Sequence, residues 1–150
     1  MIKIDDVTDP RVIQLLETHM ATMEKASPPG TCHYLDLEGL RAADVTFYSV
    51  WESENVVAVG AVKKLDNTHG EIKSMHTSLN QRGKGTASRL LSHIIENAKK
   101  DGLSQLSLET GTSEEFGPAI ALYKKFGFDF CPPFGSYSAT EFNIYLTMKL

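Results

Sequence analysis

Gln81-Arg82-Gly83-Lys84-Gly85-Thr86-Ala87 is the stretch whose reading decides the fold. It joins a strand-like run, Glu71 to Thr77, to a periodic helix from about Gly85 to Asp101. In that helix Ala87, Leu90, Leu91, Ile94, Ile95 and Ala98 recur as one apolar stripe, and Gly102 ends it. Two glycines and a small alanine leave the backbone N–H groups of the turn unobstructed. The helix start adds its own unpaired N–H groups and the positive end of its dipole. Together they make an anion site, most naturally for a phosphate or pyrophosphate. A helix start that merely needs glycine for its backbone angles would look the same in isolation. Spacing excludes two other phosphate loops. Gly83-Lys84-Gly85-Thr86 has a glycine after the lysine and none five residues before Gly83, so it is not a P-loop. Ser88 stands where the third glycine of a dinucleotide fingerprint belongs.

Outward from the loop, the pattern is alternating and short-looped. Ile2 to Ile4 reads as a strand. Pro10 opens a helix carrying Val12, Leu16, Met20 and Met23 at helical spacing, and Pro28-Pro29-Gly30 breaks it. Leu35 to Ala43 is a second, shorter helix. Thr46 to Trp51 and Val56 to Leu65 are β-rich runs joined by a hairpin at Glu52-Ser53-Glu54-Asn55, and Asp66 to Gly70 is the next turn. Beyond the loop helix, Leu103 to Thr110 alternates as a strand. Pro118 to Phe126 is a helix stopped by Gly127, and Phe128 to Cys131 and Phe142 to Met148 are the closing strands. No repeat, low-complexity tract or linker interrupts residues 1–150, which read as a single domain.

Composition narrows the class. A chain of 150 residues is long enough to bury a real core. Hydrophobic residues at 41% and charged residues at 23% are usual for a soluble globular protein. A net charge of −4 argues against nucleic acid as a general partner. Charge is uneven, however: Lys63 to Lys100 holds eight basic residues against three acidic ones, a local excess suited to a polyphosphate ligand. No stretch approaches a membrane span, and the first residues lack a signal-peptide core, so a cytoplasmic location is expected. Cys32 and Cys131 lie too far apart for a zinc pair, and a reducing compartment argues against a disulfide. Cys131 reads as a small buried hydrophobe. His19, His69 and His76 form no metal spacing, so no metal is expected.

Arg82-x-x-Gly85-x-Ala87 resembles the acetyl-CoA signature of the GCN5-related N-acetyltransferase (GNAT) family. Ala119-x-x-Leu122-Tyr123-x-x-x-Gly127-Phe128 follows it in that family's order and spacing. The resemblance covers essentially the whole chain, and the downstream Phe116-x-Pro118-Ala119 and Cys131-x-Pro133-Phe134 resemble a bacterial subgroup of largely uncharacterised members. It implies an α/β (α+β) fold: a mixed, splayed, mostly antiparallel sheet of six to seven strands flanked by about four helices. It implies an N-acetyltransferase with acetyl-CoA as acyl donor. Met75, His76 and Thr77 would contact the pantetheine, and Arg82, Gly83, Lys84, Gly85, Thr86 and Ala87 the pyrophosphate. One position departs from the family: many members carry an asparagine where this chain has Phe116, so no asparagine contact to the donor is expected.

Acyl transfer sets its own demands. An attacking amine must be neutral, yet an alkyl amine has a pKa of about 10.4, so a proton must leave. Glu71 and Glu109, on strands flanking the expected cleft, are the candidate bases. Each also reads as a solvated strand residue or an ion-pair partner, Lys73 being close to Glu71 along one face. Tyr123, with a reference pKa of about 10 against about 8.5 for a thiol, is the candidate proton or hydrogen-bond donor to the departing sulfur. His33, in the proline-rich connection after the first helix, and Phe134 and Tyr137 opposite it are the candidate acceptor-site residues. The acceptor class is an amine of a small molecule or peptide, with no nucleic-acid or membrane partner, and a homodimer is left open. Two other classes fit the loop. One is a coenzyme A-binding regulatory module without turnover; the other is a tRNA-directed acyltransferase toxin, against which the overall acidity counts.

Overall fold

The computed structural model describes every residue except Cys32. The chain runs β1 (Ile2–Ile4), α1 (Pro10–Ala26), α2 (Leu37–Leu40), β2 (Val45–Glu52), β3 (Asn55–Lys64), β4 (His69–Thr77), α3 (Thr86–Lys100), β5 (Gln105–Gly111), α4 (Gly117–Phe126), β6 (Asp129–Cys131) and β7 (Asn143–Lys149). Short 3₁₀ turns at Leu79–Gln81 and Glu114–Phe116 lead toward α3 and into α4. The seven strands form one sheet in the order β1-β2-β3-β4-β5-β7-β6. Every pairing is antiparallel except β4 with β5. The sequence expectation of a mixed, mostly antiparallel sheet with four helices is therefore met.

Local chemistry accounts for the element ends. Asp9 caps α1 by accepting from the Arg11 N–H, and Pro10 occupies the first turn, where its missing N–H costs nothing. α2 is shorter than the sequence pattern predicts. Asp36 caps it through the Gly39 N–H, and the Arg41 guanidinium donates to the Val7 carbonyl at 2.6 Å, so the chain turns away after one turn. The hairpin between β2 and β3 closes at Glu52 and Asn55 as expected.

Two cores lie on opposite faces of the sheet. α1 and α2 cover one face with Val12, Leu16 and Leu40 against Phe47, Val59 and Ala61. α3 and α4 cover the other, where the stripe Leu90, Leu91, Ile94, Ile95 and Ala98 is buried against Tyr48, Val62 and Ile72. Each such Leu or Ile contributes about 1.5–3 kcal/mol by leaving water. Cys131 is half-buried rather than buried, because β6 is the edge strand and lacks a second neighbour. Cys32 lies outside the described residues.

Candidate active site

The site begins with a fault in the sheet. β4 and β5 pair over three positions only, His69 with Gln105 to Glu71 with Ser107, although β4 continues to Thr77. From Ile72 onward the edge of β4 that faces β5 is unpaired, and a wedge opens between the two strands. On its other edge β4 bulges. Ala61 opposes Lys73 and Val59 opposes His76, so Ser74 and Met75 together face Gly60. Ser74, within the bulge, takes φ +57°, in the left-handed region. A Cβ at Gly60 would lie 2.5 Å from the Met75 sulfur, so Met75 holds its present position only because residue 60 is glycine. Met75, His76 and Thr77, the expected pantetheine positions, all lie on this bulged end of β4.

The glycine loop lies directly beyond. Gly83 and Gly85 have φ of +78° and +81°, and a Cβ on either would meet nothing within 4 Å. Their requirement is conformational, not steric, since L side chains disfavour that region. Arg82 Nε donates to the Thr77 carbonyl at 3.3 Å, tying the loop to the end of β4. Arg82 to Gly85 form a turn, and among the described residues the N–H groups of Gly83, Lys84, Gly85, Thr86 and Ala87 make no well-formed hydrogen bond to a protein acceptor. Arg82, Lys84 and Arg89 are exposed around them. The result is a row of free donors in a positive field at the start of α3, which matches an anionic diphosphate.

A cleft lies in the wedge. Met75, Phe116, Ala119 and Tyr123 line it together with His33, Glu71, Lys73 and Glu109. Phe116, standing where the family pattern has asparagine, is buried over Gly111, whose Cα hydrogen points at the ring. Tyr123 is buried on α4, edge-on to Phe128 with ring centres 5.6 Å apart. Its hydroxyl has no hydrogen-bond partner among the described residues, and burial pushes its pKa well above the ordinary phenol value. Tyr123 therefore stays neutral and able to donate.

The charged part of this lining is a polar cluster under aromatic cover. Glu71 is buried on β4, and its Oε2 accepts from the Tyr137 hydroxyl at 2.6 Å and Lys73 Nζ at 3.1 Å. Lys73 Nζ also donates to the Tyr137 oxygen at 2.9 Å and the His33 carbonyl at 3.2 Å. Glu109, on β5, accepts from His33 Nδ1 at 2.8 Å and from the Tyr145 hydroxyl at 3.0 Å. Burial first, then the Glu71 hydrogen bond, pushes the Tyr137 phenol far up. Burial and then Glu109 raise Tyr145 to about 12. Both tyrosines are neutral donors to carboxylates.

Not every expected residue lines the cleft. His33, Glu71 and Glu109 come together there. Phe134 and Tyr137 pack one layer behind, ring against ring with each other and with Tyr145, and Tyr137 reaches the cleft through the Glu71 and Lys73 it holds. Two residues of this region were missed from sequence. Tyr145 faces Glu109 only because of the β5–β7 register. His19, on α1, meets His76 with Nδ1 atoms 3.3 Å apart, a contact between residues distant in the chain. Burial lowers both rings to about 4, His76 also through Arg82, so both are neutral and one donates to the other. Among the described residues no three metal-ligating side chains gather.

Comparison with known proteins follows the same lines. The profile described as "Acetyltransferase (GNAT) family" matches residues 12–128. The chain is 47% identical to the uncharacterized N-acetyltransferase YsnE of Bacillus subtilis over 149 residues, covering 99% of each chain. Its fold superposes with a TM-score of 0.81 and 22% identity on a putative acyl-CoA N-acyltransferase from Klebsiella pneumoniae, covering 100% of this chain and 97% of that one. A GNAT acetyltransferase from Elizabethkingia anophelis, solved with acetyl-CoA bound, gives a TM-score of 0.73 at 20% identity, covering 100% and 97%.

Proposed function

The chain belongs to the GNAT acetyltransferase family, whose donor is acetyl-CoA, and on that premise we propose that it acetylates an amine of a small molecule or peptide by direct attack on the thioester. The observation that carries the proposal is the glycine loop from Gly83 to Ala87 beside the edge of β4 left open where it parts from β5. A diphosphate would bind the loop. The extended pantetheine would lie along Met75, His76 and Thr77, where a strand edge offers backbone partners.

The proposed chemistry is a single addition–elimination. The amine nitrogen bonds to the thioester carbon, and N–H groups at the β4 edge stabilise the developing oxyanion. The C–S bond then breaks, and the Tyr123 hydroxyl hydrogen-bonds to the departing sulfur. Because burial disfavours a tyrosinate, Tyr123 acts in this scheme as a hydrogen-bond donor rather than as the net source of the proton. The amine proton leaves toward the part of the cleft where Glu71, Glu109 and His33 lie. Residues 1–150 act as one domain, and a cytoplasmic location fits the donor. Among the described residues no helix is long and apolar enough to cross a membrane. A binding module without turnover and a tRNA-directed toxin are not favoured, given a 47%-identical N-acetyltransferase relative and a net charge of −4.

Titration calorimetry on Gly85→Val tests the loop. The β-branched side chain cannot hold φ +81° without strain and crowds the donors, so coenzyme A affinity is expected to fall at least tenfold, about 1.4 kcal/mol. Unchanged affinity removes the loop from the donor site.

A further inference from the structure

We propose that His33, held by Glu109, is the general base that takes the proton from the attacking amine, an assignment that rests on the acetyl-transfer reading above. The two groups come from distant parts of the chain, the connection after α1 and the middle of β5. His33 Nδ1 lies 2.8 Å from both Glu109 oxygens. Glu109 is itself fixed: only 8% of its side chain is exposed, and Tyr145 donates to it at 3.0 Å. A carboxylate in that position selects the tautomer with the proton on Nδ1 and leaves Nε2 as a lone-pair acceptor. Nε2 has no protein partner among the described residues, the ring is 38% exposed, and His33 lines the cleft.

The rest of the polar cluster immobilises this ring. Lys73, whose side chain is 8% exposed, donates from Nζ to the His33 carbonyl at 3.2 Å, and the Tyr137 ring lies against the imidazole tilted by 41° with centres 5.2 Å apart. Glu71 anchors both, through Tyr137 at 2.6 Å and Lys73 at 3.1 Å. Glu71 Oε2 thus serves two donors already, whereas His33 Nε2 serves none. In the step assigned here, Nε2 accepts the proton from nitrogen as the N–C bond forms. The carbonyl electron pair moves to oxygen and returns as the C–S bond breaks. The imidazolium then passes its proton to the sulfur or to solvent. Glu109 is a positioning residue, with no proton transfer of its own.

Two measurements decide the assignment. Imidazole-region nitrogen–proton NMR of the full chain at pH 8 is expected to show His33 protonated on Nδ1 and bare on Nε2, with that preference lost in Glu109→Gln. A proton on Nε2 in the wild type overturns the proposal. The second measurement is thiol release from acetyl-CoA with benzylamine as probe. His33→Gln is expected to lose about 10²–10⁴-fold in kcat, to keep coenzyme A affinity within about twofold, and to regain rate with added imidazole. A structural histidine would give no such rescue, so a loss without rescue, or no loss at all, overturns the base role. Glu109→Gln is expected to lose less than His33→Gln and to add nothing in the double variant; full additivity refutes the coupling. If the wild type neither binds coenzyme A nor releases thiol, the acetyl-transfer reading has failed, and the NMR result still decides the tautomer.

Discussion

Lowering the pH should weaken this fold through the buried His19–His76 pair. An unfolded histidine binds its proton near 6.5, whereas His19 in the fold does so only at about 4, because burial and then the neighbouring His76 disfavour the charged ring. Between those values the unfolded chain holds more protons than the folded one, so stability rises with pH across that window. The contribution is fully present above about 6.5 and is lost as the pH falls through about 4. At pH 4.5 His19 alone should have removed about 2.5 kcal/mol relative to neutral pH. His76, lowered to about 4 by burial and then by the Arg82 charge, adds a contribution of the same sign. The assay is urea denaturation of wild type and His19→Leu at several pH values from 7.5 to 4.5. Groups away from the pair titrate equally in both proteins, so the difference in slope reports His19 together with its effect on His76. Wild type should lose about 2 kcal/mol more than the variant over that range. Parallel profiles, within about 0.5 kcal/mol, would refute the neutral buried pair and the packing of α1 on the bulged end of β4 that creates it.

Tyr123→Phe keeps the ring against Phe128 and removes only the hydroxyl. A hydrogen bond to a charged sulfur is worth about 1.5–3 kcal/mol, so single-turnover thiol release should slow about 10- to 150-fold at unchanged coenzyme A affinity. A rate within about twofold of wild type demotes Tyr123 to scaffolding. Gly111→Ala should destabilise by about 1–3 kcal/mol, because the new Cβ would overlap three atoms of the Phe116 ring, Cδ2 at 2.6 Å among them. Calorimetry should read this as a loss of about 2–4 °C in Tm per kcal/mol, and an unchanged Tm would contradict the placement of that ring over Gly111.

Much of the site was legible because it is local. Gly83 and Gly85 announce left-handed backbone wherever the rest of the chain goes, and the α3 stripe needs only a helical period to be seen. Tyr123 was reached the same way, from its spacing to Gly127. His33, Glu71 and Glu109 were named singly, each with a bland reading beside it. That the imidazole bonds Glu109, and that Lys73 serves Tyr137 and the His33 carbonyl besides its near neighbour Glu71, depends on contacts across 40 to 76 positions. No period or motif encodes such distances. Phe134 and Tyr137 show the converse: aromatic residues in a loop could face a ligand or a core, and the loop's path over β7 sent them to the second layer.

The sequence by itself determined the order of elements, the glycine loop and the helix that follows it, because turn angles and side-chain periodicity act over a few residues. Tertiary structure alone decided where β4 parts from β5, how Ser74 and Met75 bulge against Gly60, and which of two carboxylates holds a histidine. Strand register is set by the packing of both sheet faces at once, and a shift of one residue would turn each of those side chains to the other face.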